Sequence, residues 1–158
     1  MTVQHTVRRV PHSAQDMFEL VAHVEHYPRF VPLCEALRVK KREERNGKTV
    51  ILADMTVAYS MFRDTFTSRV TMDREALTID VDYLTGPFSS LVNRWKFLPV
   101  TEQSCDVDFF IQWEMKSRPL AIVVGAVFER AFSKFAQAFE ERADFVYNRR
   151  HLAESSVN

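Results

Sequence analysis

Between residues 35 and 116 apolar and polar side chains alternate almost without interruption. A period of two restricts this stretch to a β-sheet with one buried and one wet face. Strands are predicted near 35–45, 48–59, 63–73, 76–84, 89–99 and 104–116. Asn46-Gly47 is a hairpin dipeptide and Gly86-Pro87 punctuates the later strands, so the connections are short and successive strands form an antiparallel meander. Leu77, Ile79, Val81 and Tyr83 oppose Thr78, Asp80 and Asp82. Leu91, Asn93, Trp95 and Phe97 oppose Val92, Arg94 and Lys96. Val107, Phe109, Ile111, Trp113 and Met115 oppose Asp106, Asp108, Gln112 and Glu114. One side of this sheet is therefore apolar and aromatic, and it needs a cover.

The remaining elements are few. Residues 2–10 alternate up to Pro11 and read as a first strand. Ser13 is a candidate N-cap for a helix burying Met17, Phe18, Leu20, Val21 and Val24. Pro28 and Pro32 confine the next segment to a short helical turn carrying Tyr27, Phe30, Val31 and Leu33. One long helical segment is predicted over 118–148, and it is the cover. Phe128, Phe132, Phe135 and Phe139 recur at helical spacing and form one stripe. Leu120 to Phe128 is a run of nine residues without a charge, greasier than packing on a sheet requires. It reads either as a lid over an apolar cavity or as a well-packed terminal helix. Gly125, in the middle of that run, marks either room for a ligand or close approach to a strand.

The order is α+β and fits one domain, 1–148, followed by a polar tail, 149–158, expected to be disordered. Thirteen Phe in 158 residues imply a core built from rings. Lys plus Arg and Asp plus Glu both count 21, which gives no long-range attraction to nucleic acid; a DNA partner is not expected. Cys34 and Cys105 have no metal-type spacing and read as reduced structural thiols. The N-terminal stretch lacks a secretory apolar region and no apolar run approaches a membrane span, so a cytoplasmic location is expected.

Catalytic signatures are absent: the three glycines at 47, 86 and 125 make no GxSxG, Walker or GxGxxG motif. His23 and His26 could share a helix face, but no carboxylate motif completes a metal site, and solvated histidines are the better reading. Asp106 and Asp108 share a wet face and serve solubility rather than acid–base work. Arg38 to Arg45, RVKKREER, is a solvated hairpin or a contact for an anionic partner or membrane surface. Asn93 is the clearest polar residue on the apolar side; its amide either satisfies backbone or meets a polar group on a ligand.

Taken in order, YPRFVPLC (27–34), FRDTFTSRV (62–70), LTGPFSSLVNRWKFLP (84–99), CDVDFFIQWEM (105–115) and AFEERA (138–143) resemble the coenzyme Q-binding START-domain family. That family lies within the polyketide cyclase/dehydrase-like superfamily and includes a bacterial ribosome-association toxin. The resemblance spans residues 3–147. It implies a helix-grip (START/Bet v 1-like) fold, with a curved antiparallel sheet wrapped around a long C-terminal helix and two short helices after the first strand. It also implies an apolar cavity for ubiquinone or a related polyisoprenoid, held as cargo rather than as a cofactor, and a non-catalytic lipid chaperone supporting respiratory electron transfer, peripheral at the inner membrane.

On that basis the cavity is expected to be lined by Tyr27, Phe30, Phe66, Asn93, Trp95, Phe109, Trp113, Val124 and Phe128, with no metal and no catalytic residue. The family often shows a Tyr-Lys-Gly-Phe turn where this chain has Tyr59-Ser60-Met61-Phe62, which leaves Met61 and Phe62 as candidates for an apolar tip meeting membrane or partner. Burying about ten tail carbons yields at most roughly 8 kcal/mol. Association and ordering costs reduce that to micromolar binding. Two other functions stand beside this one: a toxin-like protein that blocks ribosomal subunit association, and a cyclase/aromatase-type enzyme.

Overall fold

The computed structural model describes residues 1–148. Seven strands, β1 (Thr2–Val10), β2 (Cys34–Arg45), β3 (Lys48–Tyr59), β4 (Phe62–Asp73), β5 (Thr78–Thr85), β6 (Phe88–Thr101) and β7 (Ser104–Met115), form one antiparallel sheet in the order β1-β7-β6-β5-β4-β3-β2. The meander runs unbroken from β2 to β7, and β1 closes the far side by pairing with β7. Register shifts in the β2–β3, β4–β5 and β6–β7 pairs add the local twist that lets so long a sheet curl. After β1 come α1 (Ala14–Ala22) and a 3-10 segment (Val24–Arg29); after β7 come α2 (Arg118–Ser133) and α3 (Phe135–Ala143), ending in a π turn (Asp144–Asn148). This is the helix-grip arrangement, with the C-terminal helices held against the concave side of the sheet.

Local chemistry accounts for most of the boundaries. Asn46 and Gly47 both adopt positive φ (54° and 79°), as a type I′ hairpin requires. Ser13 caps α1 by accepting a hydrogen bond from the Asp16 amide at 3.1 Å, and Ser117 caps α2 by accepting from Leu120 at 3.1 Å. Gly86 has φ 144°, and a Cβ there would lie 2.4 Å from the Phe66 Cβ, so the β5–β6 turn packs directly onto β4. β5 begins at Thr78 rather than 76, because Leu77 takes φ 57° and leaves the extended region.

The inward faces match the alternation. Ile79, Leu91, Trp95, Phe97, Val107, Phe109, Ile111, Trp113 and Met115 are buried. The outward carboxylates are paired across strands: Arg9 holds Asp106 at 2.9 Å, His5 meets Asp108 at 2.7 Å and Arg94 meets Asp82 at 2.9 Å. Arg9 donates to Asp106 and holds its carboxyl below the usual carboxylate range. These pairs tie β1 to β7 and β6 to β5.

The C-terminal helix departs from the expectation of one element over 118–148. It is interrupted at Lys134 (φ −104°, ψ −1°), whose amide turns back to the Ala131 carbonyl at 3.0 Å. The cause is tertiary. Phe128 and Phe132 pack at one end of the sheet, on Phe88 and Trp113; Phe139 packs at the other, on Trp95 and Tyr27. Phe132 and Phe135, in edge-to-face contact at 5.2 Å, bridge the interruption. The greasy first half of α2 is not a cover throughout: Val124 and Phe128 are buried, but Ile122 (84%) and Val123 (74%) face solvent. Gly125 does not mark a close approach to a strand, since a Cβ there would meet only the Ala121 Cβ of its own helix, at 4.0 Å; it borders a surface hollow with Ala121, Ala126 and Trp113. Among the described residues no helix is long and apolar enough to cross a membrane. The predicted tail, 149–158, lies outside the described residues.

Candidate functional site, an apolar cavity under the C-terminal helix

An internal cavity of about 90 Å³ lies between the concave face of the sheet and the junction of α2 with α3. It exists because three facing positions are small. Ala53 on β3 and Ser68 on β4 are direct cross-strand partners, and Ala131 on α2 closes the space from the helix side. Larger residues surround them: Phe66, Val70, Leu91, Trp95 and Ile111 on the sheet, Phe128, Phe132, Phe135 and Phe139 on the helices. Leu33, Leu37 and Met55, from the edge of the sheet, are half-buried, as are Tyr27, Val81 and Phe135. A ring with several isoprene units would enter only by moving these rim side chains outward.

The polar groups on the wall are few. Tyr27 donates its hydroxyl to the Val21 carbonyl, and burial pushes its phenol pKa far up, so it stays neutral. Asn93 donates from Nδ2 to the Phe110 carbonyl at 2.9 Å and accepts from the Trp95 indole N–H at 2.9 Å. The amide thus serves the frame, fixing the Trp95 ring against the wall. Ser68 Oγ, by contrast, is buried with no hydrogen-bond partner among the described residues.

Five of the nine residues expected at the cavity border it: Tyr27, Phe66, Asn93, Trp95 and Phe128. The other four sit behind the wall, which corrects that part of the expectation. Phe30 packs edge-on to Phe139 at 5.0 Å, Phe109 backs Trp95 at 4.7 Å, Trp113 lies against Phe132 at 5.5 Å, and Val124 is buried away from the space. Facing inward places a side chain in the core but not at the gap: on β7 only Ile111 borders it, while Phe109 and Trp113 on either side do not. At the turn after β3, Met61 is 98% exposed, whereas Phe62 folds back to meet the Phe128 ring at 6.0 Å.

Ala53 and Ser68 were not anticipated. Both are in phase with apolar neighbours, Ala53 with Ile51 and Val57, Ser68 with Phe66, Val70 and Met72, so alternation alone places them inward. Two small inward residues opposite one another were the available signal. His23 and His26 stack at 5.9 Å, and among the described residues no group of three His, Cys, Asp or Glu could hold a metal ion. Burial pushes the Cys34 and Cys105 thiols up to about 11.

Comparisons with known proteins agree with this architecture. The chain is 34% identical over 143 residues to the ribosome association toxin RatA of Escherichia coli, covering 89% of this chain and 86% of that protein. It is 28% identical over 137 residues to the mitochondrial coenzyme Q-binding protein coq10 of Schizosaccharomyces pombe, covering 86% and 83%. The solution structure of an 18 kDa protein from Caulobacter crescentus superposes with a TM-score of 0.74 at 32% identity, covering 94% of this chain and 99% of that one. Residues 10–140 match the family described as polyketide cyclase / dehydrase and lipid transport, and the chain belongs to that family.

Proposed function

We propose that this protein binds ubiquinone or a related polyisoprenoid quinone without transforming it, and delivers it in support of respiratory electron transfer. The observation that carries this reading is the cavity itself: a space walled by rings and aliphatic chains, with no carboxylate, histidine or lysine among the described residues on its border. Acid–base chemistry needs titratable groups that converge on a substrate; apolar cargo needs the opposite. Similarity to a coenzyme Q-binding protein supports the same assignment. The exposed Met61, with Ile122 and Val123 on α2, supplies apolar surface for transient contact with a bilayer that holds the quinone.

The test is to purify the protein from a quinone-producing host, extract it with organic solvent and identify bound lipid by mass spectrometry. Near-stoichiometric quinone is expected with the native chain. Ala53→Leu, which fills the gap from the sheet side, is expected to fold and come out empty. Native protein that carries no quinone and takes up none on addition sinks the reading.

A second reading, association with a ribosomal subunit, has an observation of its own beyond the resemblance to a ribosome association toxin. Residues 38–48 hold six Lys or Arg against two Glu in a chain whose net charge is zero. Lys41, Arg45 and Lys48, with Arg69 from β4, border a shallow groove on the outer face of β2–β4 together with Glu43, which pairs with Lys41 at 2.7 Å and Arg45 at 2.8 Å. Overexpression followed by a sucrose gradient tests it: separated subunits that rejoin in a Lys41→Glu, Arg69→Glu variant support the groove, and unaltered monosome peaks exclude the activity.

A further inference from the structure

We propose that Ser68 is the polar anchor of the cavity, its hydroxyl donating a hydrogen bond to an oxygen on the head of an otherwise apolar ligand. This inference rests on the quinone-type reading above and adds to it an orientation: the oxygenated ring enters first and the tail leaves by the rim.

Ser68 stands where β4 otherwise presents Phe66, Val70 and Met72 to the interior, and it is 5% exposed. A strand position with three apolar neighbours in phase and full burial favours Val or Ile. A buried hydroxyl without a partner destabilises the fold, so its presence calls for a reason. Asn93 and Tyr27 each bond to protein groups, whereas Ser68 borders the cavity and its Oγ meets no protein acceptor or donor among the described residues. Its cross-strand partner Ala53 is too short to cover it, and its partner on the other side, Tyr83, directs its hydroxyl to the Phe88 amide at 3.1 Å. The hydroxyl is thus unpartnered and sealed within the cavity wall, where a ligand that displaces the surrounding side chains meets it.

The position of Ser68 also sets the direction of entry. β4 is an interior strand, two removed from the β2 edge, and of the half-buried lining residues Leu33, Leu37 and Met55 lie toward that edge, with Tyr27, Val81 and Phe135 elsewhere on the wall. An oxygen bonded to Ser68 therefore lies at the floor. A hydrocarbon chain attached to the same ring extends past Met55 and Leu37, where every wall group is apolar. A ligand lacking oxygen would fill the same space but leave Ser68 unsatisfied, which gives the site a preference between two equally greasy molecules.

The experiment compares a ubiquinone carrying two isoprene units with a saturated isoprenoid hydrocarbon. Quinone affinity is read from quenching of tryptophan fluorescence, since Trp95 borders the cavity, and hydrocarbon affinity from its competition with the quinone. Ser68→Ala is expected to weaken quinone binding about 3- to 10-fold, the range of one hydrogen bond, with hydrocarbon affinity unchanged. Ser68→Thr, which keeps the hydroxyl, is expected to recover most of the loss. Equal quinone affinity in the native and Ser68→Ala proteins overturns the anchor while leaving the carrier function standing. Equal loss for both ligands also overturns it, because the substitution would then have altered only the shape of the cavity. Native protein that quenches with neither saturation nor competition overturns the anchor and the quinone reading together.

Discussion

His12 Nε2 lies 2.7 Å from Asp144 Oδ1, joining the loop before α1 to the end of α3 across 132 residues of sequence. The His12 ring is buried and stands 5.9 Å from the Tyr147 ring, and the Tyr147 hydroxyl donates to the Asp16 carbonyl at 2.8 Å. These contacts fasten the last helix over the sheet. Asp144→Ala leaves a buried imidazole nitrogen without its partner and is expected to cost about 1–3 kcal/mol. Urea denaturation checks the value, and a midpoint equal to that of the native chain would show the link to be dispensable.

Gly125→Ala is expected to stabilise the protein. The helix pays the usual glycine cost there, about 0.5–1 kcal/mol relative to alanine, and nothing but the Ala121 Cβ at 4.0 Å lies near the added methyl. For a chain of this size that corresponds to a rise in Tm of about 1–4 °C by calorimetry. A fall in Tm would mean that α2 packs against something at this point.

Asn93→Ala is expected to loosen the cavity wall as well as lower stability. It removes the partner of a buried indole N–H and of the Phe110 carbonyl, at a cost of about 1–3 kcal/mol. Trp95 should gain mobility, seen as a lower fluorescence anisotropy. An unchanged Trp95 signal would show that Phe109 and Phe139 alone hold the ring.

The two thiols predict a dependence on alkaline pH. Burial raises Cys34 and Cys105 from 9.0 to about 11 in the folded state. The folded protein therefore holds its thiol protons more tightly than the unfolded chain. The resulting stability is complete below pH 9 and is lost as pH rises towards 11. Denaturation midpoints should fall over that window, and less in a Cys34→Ala, Cys105→Ala variant. At pH 8 a thiol reagent should react slowly with the native protein and fast in denaturant; rapid reaction under native conditions would contradict the burial.

Side-chain alternation from Leu77 to Met115 identified the strands and their inner faces because a pleated strand sends successive side chains to opposite sides, a relation internal to each segment. The Asn46-Gly47 hairpin was legible for a similar reason, since both residues tolerate positive φ. The spacing of Phe128, Phe132, Phe135 and Phe139 identified a helical face, but not the interruption at Lys134, which answers to two ring clusters at opposite ends of the sheet.

The candidate site divides along the same line. Trp95 and Asn93 were placed on the inner face because inward residues are readable from period two. Phe109 and Trp113 obey the same rule yet lie behind the wall, although their cross-strand partners Trp95 and Leu91 border the cavity, since the place of a strand under the helices is not encoded in its own alternation. Exposure of Ile122 and burial of Phe62 depend likewise on where α2 lies relative to the β3–β4 turn.

The amino-acid sequence by itself determined the elements, their order, the apolar face and the need for a helical cover, all of which follow from local periodicity and turn chemistry. Only the tertiary structure decided that Ala53, Ser68 and Ala131 meet, and that their small side chains leave a cavity. A cavity is a property of facing surfaces, and the residues that face one another here come from strands and a helix far apart in the chain.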